Sequence, residues 1–407
     1  MAAFALGIAA GAAAQETVKI GVVYPLSGNA ASAGNYSKMA SELGAEIVDN
    51  GNAELAKVLP FITPSGGLSG LKGAKVQLAI ADNQGTPAAG ANQTLRLITQ
   101  EKVVAVIGAY QSGITETASA IAEKYGVPFL TPESVAANLT ERGFKWFFRT
   151  TPVAGDFARA YSTFLKEQKA AGRKVDSIAI VHENTEYGNS VSGVIADVFK
   201  KDGLNITQNI SYSANSTDVQ PQVLQLKEKN PDVVIFISYT SDAILYTKTM
   251  KSLGWKPEIL IADDAGFNDP KYVKEMGSEV EGLISRTSFG TGKPGSVAAI
   301  CDELYRKKTG GDGLDDTSGR GLQGFFVLAD AISRAGSIEP DKIRAALMAT
   351  DLKKEQMVAG YDGVKFDAKG QNTLASSIVT QMRGGKYLPV WPKANATGDL
   401  ILPYKGW

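Results

Sequence analysis

The stretch VVAVIGAYQSGITETASAIAEKYGVPFLTPES, Val103 to Ser134, holds a strand, a polar loop, a helix, a second strand and a second polar loop in immediate succession. Val103-Val104-Ala105-Val106-Ile107 is an unbroken apolar run rich in β-branched residues and closed by Gly108. That pattern marks a strand covered on both faces in a parallel sheet. The loop 109–113 leads into a helix over 114–125, where Ile114, Ala118, Ile121, Ala122 and Tyr125 share a face before Gly126 stops it. A strand over Val127–Leu130 follows at once and ends in Thr131-Pro132-Glu133-Ser134. Ser112 therefore falls beyond the carboxyl end of a parallel strand and at the amino end of a helix, where free amides and the helix dipole favour an anion such as a carboxylate. Ser134 closes the neighbouring strand, so two adjacent strand ends offer hydroxyls to one crevice, as ligand sites of open α/β sheets do. The alternative for each serine is a helix cap.

Working outward, the same unit repeats. Val18–Val23 is a strand opening onto Tyr24-Pro25-Leu26-Ser27-Gly28, with Met39, Leu43 and Ile47 on one face of the next helix; Val76–Ala81 is another strand. Between them, 51–73 carries glycines, Pro60 and Pro64 without a period and reads as a surface excursion. After 144–149 the pattern restarts with a helix bearing Phe157, Tyr161, Phe164 and Leu165. Strands at 177–181, 205–212, 233–237 and 259–261 alternate with helices at 191–199, 219–229 and 243–253, which predicts a second parallel sheet with right-handed crossovers. A strand over 283–289, helices at 297–308, 321–335 and 341–348, a turn-rich crossing at 361–370, and a hairpin of 377–382 with 386–391 around Gly384-Gly385 complete the chain.

The 407 residues suffice for two or three domains, and 44% hydrophobic with 21% charged residues is ordinary for a globular protein. Forty-two basic and forty-two acidic residues cancel, which points away from nucleic acid and anionic membrane and toward a small-molecule partner. One cysteine, Cys301, and one histidine, His182, exclude an intrachain disulfide and a Cys/His zinc site; Cys301 sits in an apolar helical stripe and reads as core, and no cofactor is expected. Residues 4–14 are small and apolar and end in Ala12-Ala13-Ala14, like the apolar region and cleavage site of a secretory signal, although a basic leading region is lacking. The mature chain is expected to begin near Gln15 or Glu16, with 1–15 a signal remnant. Gly290-Thr291-Gly292-Lys293-Pro294-Gly295 matches a dinucleotide fingerprint in outline, but Pro294 lacks an amide that the pyrophosphate would need.

Lys19-Ile20-Gly21-Val22-Val23-Tyr24-Pro25-Leu26-Ser27-Gly28, Val106-Ile107-Gly108 with Ser112, Pro128-Phe129-Leu130-Thr131-Pro132, Phe147 and Arg149, His182 with Tyr187-Gly188, and Phe366-Asp367 with Gly370 together resemble the periplasmic leucine/isoleucine/valine-binding proteins. These are the type I solute receptors of branched-chain amino-acid ABC importers. The resemblance implies two Rossmann-like α/β lobes with parallel sheets, joined by a three-crossing hinge and closing on a ligand like a flytrap. Lobe 1 is expected at 16–152 and 288–362, lobe 2 at 153–287 and 363–407. By position, Ser112 matches the serine that binds the ligand's α-carboxylate, Tyr187 and Tyr239 match tyrosines of the second lobe, and Asp264 matches the acid that holds the α-ammonium. The chain departs at Ala33, in place of a tyrosine, at Val135, in place of a threonine, and at Glu133, where a small residue is usual; Ser134 is a candidate for the missing hydroxyl, and Tyr110 and Gln111 flank the serine.

The expected function is that of a non-catalytic periplasmic receptor that captures a small carboxylate, an aliphatic or aromatic amino acid first, and delivers it to an ABC permease. It would act as a monomer and meet the membrane only through that permease. The alternatives are a receptor for aromatic carboxylates or another ligand without an amine, and a ligand-sensing component.

Overall fold

The computed structural model describes residues 17–407; the expected signal segment and the start of the mature chain lie outside the described residues. Strands β1 (Thr17–Tyr24), β2 (Lys75–Asp82), β3 (Ala105–Gly108), β4 (Phe129–Thr131) and β5 (Phe147–Arg149) form a wholly parallel sheet in the order β2-β1-β3-β4-β5. Strands β6 (Ile178–Glu183), β7 (Ile206–Tyr212), β8 (Val233–Ile237), β9 (Ile259–Ala262) and β10 (Ile284–Thr287) make a second parallel array. Two short strands, β11 (Asp351–Lys353) and β12 (Gly363–Lys365), pair with each other. The hairpin β13 (Ile378–Arg383) and β14 (Lys386–Trp391) then adds antiparallel to β10, giving the order β14-β13-β10-β9-β8-β6-β7. Its two-residue turn puts Gly384 and Gly385 at φ +57° and +78°, the left-handed pair that such a turn requires.

Helices α1 (Ala31–Asn50), α2 (Pro87–Thr99) and α3 (Ser112–Tyr125) cover the first sheet. Helices α4 (Ala154–Ala170), α5 (Glu186–Lys201), α6 (Gln220–Lys229), α7 (Thr240–Ser252) and α8 (Pro270–Met276) serve the second. The chain returns to the first lobe with α9 (Val297–Thr309), α10 (Asp316–Ala335) and α11 (Pro340–Met348), α10 packing along α1. This is the doubly covered architecture that the apolar strands demand, since Val106, Ile107, Val234 and Ile235 are fully buried. The chain passes three times between the two lobes, as the two-lobed arrangement implied by the resemblance requires.

Two expectations change. The 51–73 segment is not a mere surface excursion: Leu55, Leu59, Phe61, Ile62 and Leu68 are buried, and Phe61 meets the Phe326 ring of α10 edge-on at 5.5 Å. Its apolar residues lack a period because they sit on single turns. Helix α10 begins at Asp316, five residues earlier than the pattern suggested, because Asp315 and Ser318 form a capping box that overrides the glycines at 319 and 321.

The crossings are tied together. Asn372 donates to the carbonyls of Thr150 and Gly363 at 3.0 and 3.1 Å and accepts from the amides of Lys365 and Leu374. Gln371 bonds Arg149 and the Thr151 carbonyl. The turn-rich crossing expected at 361–370 is paired backbone: β12 pairs with β11, Phe366 bridges Asn372, and Gln371 bridges Arg149. At the opposite rim the lobes meet again. Ser32 of α1 bonds Asp269 at 2.7 Å, and Lys274 of α8 reaches Asp312, which also accepts from Tyr36.

Candidate functional site

Ser112 is the first residue of α3, directly beyond β3. The amides of Ile114 and Thr115 are taken by the Gln111 carbonyl, which leaves those of Ser112 and Gly113 without a backbone acceptor. Gly108 makes the approach possible, because a Cβ there would sit 2.1 Å from the Val23 carbonyl oxygen. Around this helix end lies a crevice lined by Tyr110, Ser112, Glu133 and Val135 from the first lobe and Tyr187, Tyr239, Asp264, Ala265 and Arg286 from the second, with Arg320 of α10 closing it. Its free space is about 20 Å³, so a solute enters only when the lobes part.

Of the residues singled out from the sequence, Tyr110, Ser112, Glu133, Tyr187, Tyr239 and Asp264 line this crevice, whereas Gln111 and Ser134 do not. Gln111 is buried beside Gly85, and the Ser134 hydroxyl is spent inside the first lobe on the Tyr110 carbonyl at 2.9 Å and the Thr115 hydroxyl at 2.6 Å. The Ser112 hydroxyl accepts one long bond, 3.3 Å from the Ala136 amide, and its own proton is uncommitted. We expect Ser112→Ala to weaken carboxylate binding by about 1.5–3 kcal/mol in calorimetry. A purely structural serine would lower the melting midpoint alone.

The sequence reading missed the ion network. Arg320 Nη2 lies 2.8 Å from Asp264 and 2.7 Å from Asp316, and its Nη1 donates to Thr151 and the Glu133 carbonyl. Arg286 bonds Asp263 at 2.9 Å, reaches Asp264 at 3.1 Å and lies over the Phe157 ring. Asp263 also accepts from the hydroxyls of Tyr161 and Tyr187, so Tyr187 shows the crevice its ring. Burial pushes the Asp264 carboxyl up, but Arg320 and Arg286 more than offset this and hold it below the usual carboxylate range. Glu133 is the reverse: burial lifts it to about 7 against the pull of Arg320, Tyr24 and Ser37. Its Oε1 accepts from Tyr24 at 3.0 Å and Ser37 at 3.1 Å, while Oε2 has no partner.

Three lining residues carry left-handed backbone: Tyr110 at φ +70°, Asp264 at +47° and Ala265 at +22°. Non-glycine residues resist that region, and such strain concentrates at ligand sites. Gly266 lets the Asp264 loop close on Tyr239, since a Cβ there would lie 2.2 Å from that backbone. Two roomier clefts, about 210 and 430 Å³, lie on the outside of the first lobe, and their acids Glu141 and Asp330 are already paired with Lys369 and Arg334.

A model of the family described as periplasmic binding protein matches residues 17–386. The Leu/Ile/Val-binding protein homolog 7 of Brucella suis is 30% identical over 410 residues, spanning 97% of this chain and 96% of that one. The chain belongs to the periplasmic leucine/isoleucine/valine-binding protein family. Solved structures share its fold. The branched-chain amino acid transporter substrate-binding protein LivJ of Streptococcus pneumoniae, in complex with isoleucine, aligns with a TM-score of 0.77 at 22% identity, covering 95% of this chain and all of that one. A solute-binding protein of an ABC transporter from Rhodopseudomonas palustris, in complex with 3,4-dihydroxybenzoic acid, aligns with a TM-score of 0.75 at 17% identity over 96% and 98% of the two chains. As a member of this family the chain is a solute receptor of ABC-importer type, and the family places it outside the cytoplasm.

Proposed function

We propose that this receptor captures an α-amino acid in the crevice at Ser112 and delivers it to the permease of an ABC importer, acting as a monomer after removal of its signal segment. One observation carries the choice of ligand: around the crevice, Asp263, Asp264 and Asp316 pair with two guanidiniums, Arg286 and Arg320, and a fourth carboxyl, Glu133, feels the Arg320 charge without an ion pair of its own. A surplus of buried acid is met by a cation, because a buried charge without a partner is strongly unfavourable. The ligand's carboxylate takes the α3 amides and the Ser112 hydroxyl, and its ammonium neutralises the surplus. The resemblance assigned the ammonium to Asp264. Two guanidiniums already compensate that residue, so we assign the ammonium to the free Oε2 of Glu133. The names of the curated relatives support an amino-acid ligand. The side chain expected from the resemblance is aliphatic or aromatic, and the wall opposite the headgroup decides which the crevice takes.

A thermal-shift panel of amino acids beside benzoate-like acids tests the reading, and stabilisation by the plain acids alone would overturn it. Protons give an independent check. With Glu133 lifted to about 7 in the free crevice, an ammonium beside it lowers its pKa, so binding releases a proton. Affinity should therefore fall on acidification from pH 8 to 6, by at most about tenfold per pH unit. A plain carboxylate would do the opposite, taking up a proton and binding more tightly as the pH drops. Calorimetry in two buffers of different ionisation enthalpy reads the sign.

A further inference from the structure

The headgroup seats leave two buried tyrosine hydroxyls of the lining without a task. Tyr110 is 6% exposed, its ring sits 6.1 Å from that of Tyr239, and its Oη has no hydrogen-bond partner. The acids whose field it feels most are spoken for: Asp264 by Arg320, Arg286 and Asn268, and Asp269 by Ser32, Thr240 and the Lys271 amide. Tyr239 is in a similar position. The Ser112 amide and Thr185 hydroxyl approach its Oη without reaching hydrogen-bonding geometry, and the atom is buried and unpartnered. The apolar side chains of the lining, aromatic rings aside, are Val135 and Ala265. A backbone at φ +70° holds the Tyr110 ring against this wall, in a conformation that a bulky residue adopts only when its surroundings impose it.

An aliphatic side chain in this space would seal both tyrosine hydroxyls from water and give them nothing in return, and buried polar groups left in that state are costly. We infer that Tyr110 determines specificity and that its hydroxyl reads a hydrogen-bonding group on a short ligand side chain, so that the receptor takes amino acids with a hydroxyl or carboxamide in preference to leucine, isoleucine and valine. This rests on the α-amino-acid reading given above and narrows it. A site built to bond a polar substituent rejects an analogue of the same shape that lacks it, whereas an apolar pocket discriminates weakly.

Isosteric pairs make the test. Calorimetry of the full chain with threonine against valine, and with asparagine against leucine, should show the polar member of at least one pair binding roughly 10²-fold more tightly or better. Tyr110→Phe should bring that ratio below about tenfold, chiefly by weakening the polar ligand. The unliganded variant should melt no lower than wild type, because the deleted hydroxyl has no partner. If wild type binds valine or leucine as tightly as the polar isostere, or if Tyr110→Phe leaves the ratio unchanged, the inference is overturned while the amino-acid reading stands. Binding of benzoate with no response to any amino acid overturns both.

Discussion

Arg320→Met is expected to lower the melting midpoint of the free receptor by roughly 5–10 °C at pH 7.5. Arg320 is 2% exposed and reaches across the crevice: it belongs to α10 of the first lobe, yet its Nη2 bonds Asp264 of the second, 2.8 Å away, as well as Asp316. Methionine fills similar volume but leaves Asp316 with only the Thr287 hydroxyl and Ser288 amide, and Asp264 with Arg286 and the Asn268 amide. Removing one member of a buried ion network costs about 3–5 kcal/mol, because the remaining charges stay desolvated. The pH dependence follows in sign. Burial already raises Asp316 to about 6, and losing the guanidinium that opposes this raises it further, so in the variant protonation sets in above pH 6 and relieves the defect as the pH falls. The difference in melting midpoint between variant and wild type should shrink from pH 7.5 to 5. A gap under about 2 °C at pH 7.5, or one that widens in acid, would show that the network carries little of the stability.

The second large effect is expected at Glu133→Gln, where affinity and stability move in opposite directions. A pKa near 7 in the fold against the ordinary 4.5 means that stability falls as pH rises between those values. Above pH 7 the full cost of roughly 3 kcal/mol is present, and below 4.5 it is gone. Glutamine keeps an oxygen for Tyr24 and Ser37 and removes the charge, so at pH 8 the variant should melt at least as high as wild type. The ligand's ammonium, however, loses its partner in a closed crevice, which should weaken amino-acid binding roughly 30-fold or more. If Glu133→Gln binds normally and Asp264→Asn does not, the ammonium sits at Asp264, as the resemblance implied.

What could be read from the sequence was what depends on local pattern. The run ending at Gly108 and the helix stop at Gly126 located the end of β3 and the carboxyl end of α3, and put Ser112 beside a helix start that was read two residues late, at 114. Tyr187, Tyr239 and Asp264 followed from motif positions at the strand ends of the other lobe. Arg286 and Arg320 were missed for a physical reason. A single arginine between Ser285 and Thr287 in a strand carries no sign that it is buried, because its burial depends on Asp263 and Phe157, which arrive from elsewhere in the chain. Arg320 was hidden because it falls after Gly319 and one residue before the helix start read at 321. Its spacing from Asp316 and the capping pair Asp315 and Ser318 were the available signals, and they become persuasive only once that stretch is taken as helix. Gln111 and Ser134 were chosen on position alone and lie outside the lining, because proximity in sequence to a strand end does not say which way a side chain points.

The rim contact between Lys274 and Asp312 differs in kind from the Arg320–Asp264 pair at the centre. Its side chains are 59% and 38% exposed, against 2% and 4% for the central pair. An exposed ion pair weakens as the salt concentration rises, whereas dissolved ions reach buried pairs far less. The two jaws are thus held by one fastening that the surrounding electrolyte can loosen and one that it cannot. Added salt is therefore expected to quicken capture and release by easing the mouth open, while the grip on a solute already enclosed is left to the dry interior.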